Sequence, residues 1–187
     1  MTKRTGFALG VAIPVVIIVV IVLFTTGGSG SQAKKRPPRP AKLPPLSQAY
    51  TSSSIGVVGL LPADWTARRG SGFVRLGSRD GGALIVIAAE SNHSGTHALL
   101  LAALKTLTKH RPEIKLKLGR GTKLGGLPAN SRVIYTRDAR GTPIRILVAG
   151  ARGKHLGYVV EAITLRNASV HDLVEAQQVV LTLRLTG

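Results

Sequence analysis

Three side chains stand close enough in sequence to do chemistry together: Glu90, His93 and His97, in an E-x-x-H-x-x-x-H spacing. Two histidines four residues apart can share a metal ion when both lie on one helix face, and a nearby glutamate can then act on a bound water. Here Ser94-Gly95-Thr96 separates the pair, which leaves His93 in a loop and only His97 in the following helix. The plainer reading is a polar loop with a histidine at a helix start. A metal-dependent hydrolase built on Glu90, His93 and His97 is carried as the alternative function.

Other candidates are weaker. Ser31-Gln32-Ala33-Lys34 matches the S-x-x-K pattern of acyl-serine enzymes but falls in a linker with no pocket to surround it. Gly119 to Gly126, GRGTKLGG, has neither phosphate-loop spacing, so a turn between strands explains it. Asn92-His93-Ser94 and Asn167-Ala168-Ser169 match glycosylation acceptors and read more simply as a loop and a helix start. The chain has no cysteine, which excludes a disulfide framework, a thiolate metal site, a thiol nucleophile and a lipidated cysteine. No catalytic residue and no cofactor are expected, and the protein reads as a non-enzyme.

Charge is the strongest signal. The net charge is +18, with seven basic and no acidic residues before Leu46 and nineteen basic against eight acidic from there on. Such a field attracts anionic lipid headgroups, wall polymer or nucleic acid. Seven aromatic residues in the whole chain supply few stacking platforms, so nucleic acid is disfavoured. The expected contacts for an anionic partner are Lys34, Lys35, Arg36, Arg39 and Lys42 in one group and Lys115, Lys117, Arg120 and Lys123 in a second. Arg132, Arg137 and Arg145 could extend the second group, and a protein partner is a further option. A merely solvated basic face is the plainer reading of both.

The elements that must hold these residues begin with residues 1–6, a short basic N-terminus carrying Lys3 and Arg4. Phe7 to Phe24 follows, eighteen residues without a charge. As a helix it spans about 27 Å, close to a ~30 Å hydrocarbon core, and lipid forces a single segment to be helical. We read it as an uncleaved signal anchor. Ser31 and Ala33 offer a signal-peptidase site, but the apolar run is longer than a usual signal-peptide core. The positive-inside count favours a cytoplasmic domain, hence the alternative of a cytoplasm-facing adaptor; long domains nevertheless cross largely regardless of charge. The expected address is the plasma membrane, single-pass, with the C-terminal domain extracytoplasmic.

Residues 25–46 form a Gly/Ser-rich and then Pro-rich basic linker that cannot bury a core. Residues 47–187 are patterned as one domain. Ile55–Leu61 reads as a strand; Phe73–Leu76 and Ala83–Ala88 read as a hairpin, with Ala83–Ala88 covered on both faces. A helix runs over His97–His110 behind a Thr96 cap. Lys115–Gly119 alternates as a strand, and Arg132–Arg137, Ile144–Ala149 and Tyr158–Leu165 complete an antiparallel meander. Ser169 and Asp172 open a second helix, where Val170, Leu173, Val174, Gln177, Val180 and Leu181 make one stripe expected to face the core. Leu181–Leu185 closes as a short strand.

This order of elements, with Leu61-Pro62-Ala63-Asp64-Trp65 after the first strand and Leu124-Gly125-Gly126-Leu127-Pro128-Ala129 before the meander, resembles the Mog1/PsbP-like fold. The likeness covers Tyr50 to Leu185. It implies an α+β domain, an antiparallel sheet flanked by helices in an α/β/α sandwich, behind one transmembrane helix. Family members include extrinsic photosystem proteins, a small-GTPase partner and actinobacterial surface lipoproteins. They imply a binding or scaffolding role without a shared catalytic site.

Overall fold

The computed structural model describes residues 45–91, 95–110, 114, 120–166, 168 and 170–187. The anchor segment, nearly all of the linker with its five basic residues, His93, Lys115, Lys117 and Ser169 lie outside them. Among the described residues no helix is long and apolar enough to cross a membrane.

Among the described residues, ten strands and two α-helices follow one another. β1 (Leu46–Ser52) and β2 (Val57–Pro62) are joined by a single 3-10 turn at Ser53–Ile55. β3 (Thr66–Gly70), β4 (Phe73–Gly77) and β5 (Ala83–Glu90) lead into α1 (Thr96–His110). β6 (Arg120–Leu124), β7 (Leu127–Arg137), β8 (Pro143–Arg152) and β9 (Gly157–Leu165) precede α2 (Val170–Thr182) and β10 (Arg184–Leu185). All pairings are antiparallel. One sheet has the order β3-β4-β5-β9-β8-β7-β6, the other β1-β2-β10.

Three strands of the expected meander, β7, β8 and β9, form in order because their turns carry their own hydrogen bonds; the fourth, Lys115–Gly119, lies outside the described residues. The Asp138 carboxylate accepts from Arg140 N–H at 2.9 Å and Thr142 N–H at 2.8 Å, while Gly141 takes φ +81°. An aspartate that satisfies its own turn in this way fixes the register of β7 on β8. In the β4–β5 turn the Asp80 carboxylate accepts from Gly82 N–H at 2.9 Å.

The large sheet is covered on both faces. On one, Leu100, Ala103, Leu104 and Leu107 of α1 pack on Ile134, Ile144, Ile146, Val148 and Val159. Here α1 comes so close to β8 that a Cβ on Gly150 would stand 2.6 Å from Thr96 O and Leu100 N. On the other face Ala176, Val179 and Leu183 join Val57, Leu61, Trp65, Leu76, Ile85, Ile87 and Tyr158 in a second core. The small sheet lies on this side, with its outward residues Val58 and Leu60 exposed. The architecture is α/β/α, as the resemblance implied, with the second sheet an addition.

Several expectations need correction. β3 was not foreseen: Thr66, Ala67, Arg68 and Arg69 are all exposed, so no apolar alternation marks it. Arg120–Leu124, read as turn, is an edge strand, and β7 starts at Leu127 instead of Arg132. Exposed cations on β3 and β6, the two edges of the large sheet, discourage edge-to-edge pairing. The first core strand starts at Val57, because Ile55 ends the 3-10 turn. Thr96 is the first residue of α1, and its hydroxyl accepts from the Asn130 amide at 2.6 Å.

The α2 stripe is also corrected. The buried residues of this helix are Glu175, Ala176 and Val179, whereas Leu173, Val174 and Val180 are half-buried and Gln177 and Leu181 exposed. A helix turns about 100° per residue, so the observed buried line is displaced by part of a turn from the expected one.

Candidate functional site

The displacement of α2 creates a groove. Leu173, Gln177, Val180 and Leu181 form one wall; Leu147, Ala149 and Ala162 of the large sheet form the floor. The space encloses about 280 Å³. Its floor is low because Ala149 and Ala162 stand where bulkier residues would fill the space beneath α2. Leu181 is 68% exposed at the rim, and the exposed Val133 and Tyr135 stand on the same sheet face beyond the floor.

The polar lining is Thr122, Lys123, Ser131, Arg145 and Thr164 on the sheet side and Gln177 on α2. Arg145, half-buried on β8, lines the groove. Thr164 lines it too; it is 4% exposed and its Oγ1 has no hydrogen-bond partner among the described residues. A buried hydroxyl without a partner is a cost that a ligand acceptor or donor would relieve. Beyond Arg145, Arg166 lies 5.8 Å from the Tyr135 ring centroid, a further cation on this side. A groove with an apolar floor and with Lys123 and Arg145 on its sheet side suits an amphiphilic ligand with an anionic head.

The opposite flank of α2 is polar. Trp65 Nε1 donates to Glu175 Oε2 at 3.3 Å in a buried contact, and His171 Nε2 stands 3.6 Å from Glu175 Oε1. Burial pushes the Glu175 carboxyl up, against the pull of the Trp65 N–H and the His171 imidazole. At the end of α2 the Thr182 hydroxyl donates to Val179 O at 2.9 Å and accepts from Leu60 N–H at 3.2 Å, tying the helix to β2.

The residues singled out in the sequence are distributed differently. Glu90 ends β5 and His97 lies in the first turn of α1; their third member, His93, is outside the described residues. Arg120 and Lys123 are both exposed on β6, but three residues apart on a strand they point to opposite faces. Arg120 pairs with Ser131 and Lys123 with Pro128. Lys123 and Arg145 are both brought to the groove, whereas Arg137 sits at the far end of β7, donating to Gly141 O at 2.7 Å. The groove itself was missed. Its signal was present in Leu173, Val180 and Leu181, which were assigned to the core.

No family model and no curated protein matches the chain. Solved structures do. A Bacteroides thetaiotaomicron VPI-5482 protein aligns at TM-score 0.51 and 15% identity over 76% of this chain; the chain spans about half of that protein, 49%. Cyanobacterial PsbP from Synechocystis sp. PCC 6803 aligns at TM-score 0.55 and 12% identity over 74% of this chain and 91% of its own. The domain has a PsbP-like fold. LpqN, involved in cell envelope biogenesis of Mycobacterium tuberculosis, aligns at TM-score 0.50 and 13% identity over 75% of this chain and 90% of its own. At these identities the likeness is one of fold, and function must come from the site.

Proposed function

We propose that this chain is a non-enzymatic binding module of the cell surface, and that its groove takes the apolar part of an anionic envelope amphiphile. The observation that carries this reading is that Leu173, Val180 and Leu181 of α2 line an open groove, Val180 at its boundary with the core and Leu181 exposed at the rim. A helix whose apolar side meets a concave, partly wet space has a binding surface. Arg145 selects the charge of the head, and Thr164 Oγ1 offers it a hydrogen bond. The role of LpqN in envelope biogenesis supports the address.

In this reading Phe7–Phe24 holds the protein in the plasma membrane as a single pass with the domain outside. The linker cations Lys34, Lys35, Arg36, Arg39 and Lys42 then lie near headgroups, each contributing about 1 kcal/mol within a Debye length of ~8 Å.

A protein starting at Thr25 tests the proposal on vesicles containing phosphatidylglycerol. Binding should occur, fall as salt rises and fall again on Leu181→Asp. Glutamine at the five linker positions, or at Lys115, Lys117, Arg120 and Lys123, measures how much of the attraction each cluster supplies. Equal binding to neutral vesicles, or indifference to Leu181→Asp, would overturn the reading. Protease added to intact cells should trim the exported linker; protection until permeabilisation would place the domain inside.

A further inference from the structure

In a chain of net charge +18, four of the eight acidic residues gather at one place, the start of α2. Asp64 and Asp172 both act on the Glu175 carboxylate by repulsion, and Asp80 feels the His171 imidazole. Among the described residues, His171, Asp172 and Glu175 bring three donor atoms within 4.8 Å of one another. The reason is helical spacing: residues i and i+4 stack on one flank, and i+1 lies about 100° around from the first.

Glu175 is 2% exposed, and its Oε1 accepts no hydrogen bond among the described residues. The atom points at His171 Nε2 from 3.6 Å, beyond hydrogen-bond range. Two donors held on one zinc ion by bonds of about 2.1 Å stand roughly 3.4 Å apart at a tetrahedral angle. The gap therefore has the dimension of a shared cation. Buried carboxylates call for a paired charge, and a helix start offers only a fraction of one.

We infer that His171, Asp172 and Glu175 form a binding site for a divalent transition cation, with zinc as the ion its donors suit best. One imidazole and two carboxylates make a mixed nitrogen and oxygen set, which fits zinc better than the all-oxygen shells of calcium or magnesium. Three protein ligands leave a fourth position for water. His171 and Asp172 are half-exposed, so the ion has an entry path. Trp65 N–H on Glu175 Oε2 supplies the outer hydrogen bond that orients a ligating carboxylate. This site lies on the flank of α2 away from the groove and does not depend on the ligand proposed there.

Trp65 is the single tryptophan of the chain, so its emission reports the site directly. The full-length, chelator-treated protein in detergent is titrated with zinc chloride, following Trp65 emission and heat release. A change saturating at one equivalent is expected, weakened at least about tenfold in both His171→Ala and Asp172→Asn. These two half-exposed positions leave the buried Glu175 and its tryptophan contact intact, so loss of binding in them is not loss of fold; near-native melting temperatures verify this. No saturable change, or unaltered affinity in both variants, overturns the site. Loss in His93→Ala/His97→Ala with retention in His171→Ala also overturns it and moves the ion to the other end of β5. Calcium binding as tightly as zinc overturns the choice of ion.

Discussion

The two helices cover opposite faces of one sheet and do so in different ways. α1 sets Leu100, Leu104 and Leu107 against Ile134, Ile144, Ile146 and Val148, large side chains on both sides of the contact. α2 sets Ala176 and Val179 against a floor containing Ala149 and Ala162 and leaves about 280 Å³ open beside it. Interiors pack to the density of organic crystals, so volume missing from side chains reappears as a cavity or groove. The first face is spent on stability, and the second leaves apolar surface available for binding.

Truncations on the two faces should separate these roles. Leu104→Ala removes a fully buried side chain from the α1 core and should cost about 2–5 kcal/mol. Leu181→Ala, at the groove rim, should change stability by less than about 0.5 kcal/mol while weakening vesicle binding. Urea denaturation of both variants measures the contrast. Comparable losses would mean that Leu181 belongs to a core after all.

A smaller effect separates two carboxylates near the start of α2. The carboxyl of Glu175 is raised above its ordinary value, first by burial, so the fold favours its protonated form. The stability it confers is full below the ordinary glutamate range and falls as pH rises through that range towards its folded value. Asp80 is the opposite case. Gly82 N–H, then the Ser78 hydroxyl, hold its carboxyl below the ordinary value, so its contribution is present at neutral pH and is lost as pH falls. Thermal melts from about pH 3 to pH 8 should show Glu175→Gln losing the decline on the alkaline side and Asp80→Asn losing the protection on the acid side. A Glu175→Gln variant with the wild-type profile would contradict the burial assigned to this carboxylate.

The sequence made the meander legible because Ile144, Ile146 and Val148 alternate and Asp138 marks the turn. α1 was legible from its Leu and Ala run and the Pro112 stop. β3 was hidden, since an exposed edge strand of Thr66-Ala67-Arg68-Arg69 buries almost nothing. The face of α2 was misread for a longer-range reason. Glu175 sits in the buried line only because Trp65, 110 residues away, meets its carboxylate, and no periodicity can announce that contact. The same contact hid the groove, because it gives Glu175 a place in the buried line beside Ala176 and Val179. His171, Asp172 and Glu175 left a signal, one imidazole and two carboxylates within a turn of an expected helix, and it was not used.

The central claim is that the space beside α2 is a ligand site. Ala162→Leu tests it most directly by raising the floor under Val180 and Leu181 without touching a charge. Titration with dodecyl phosphate below its micelle concentration should show one molecule bound per wild-type chain. In Ala162→Leu, with an unchanged fold by circular dichroism, affinity should fall at least about tenfold, since the apolar part of the ligand loses its place. Equal affinity in the two proteins would contradict the account.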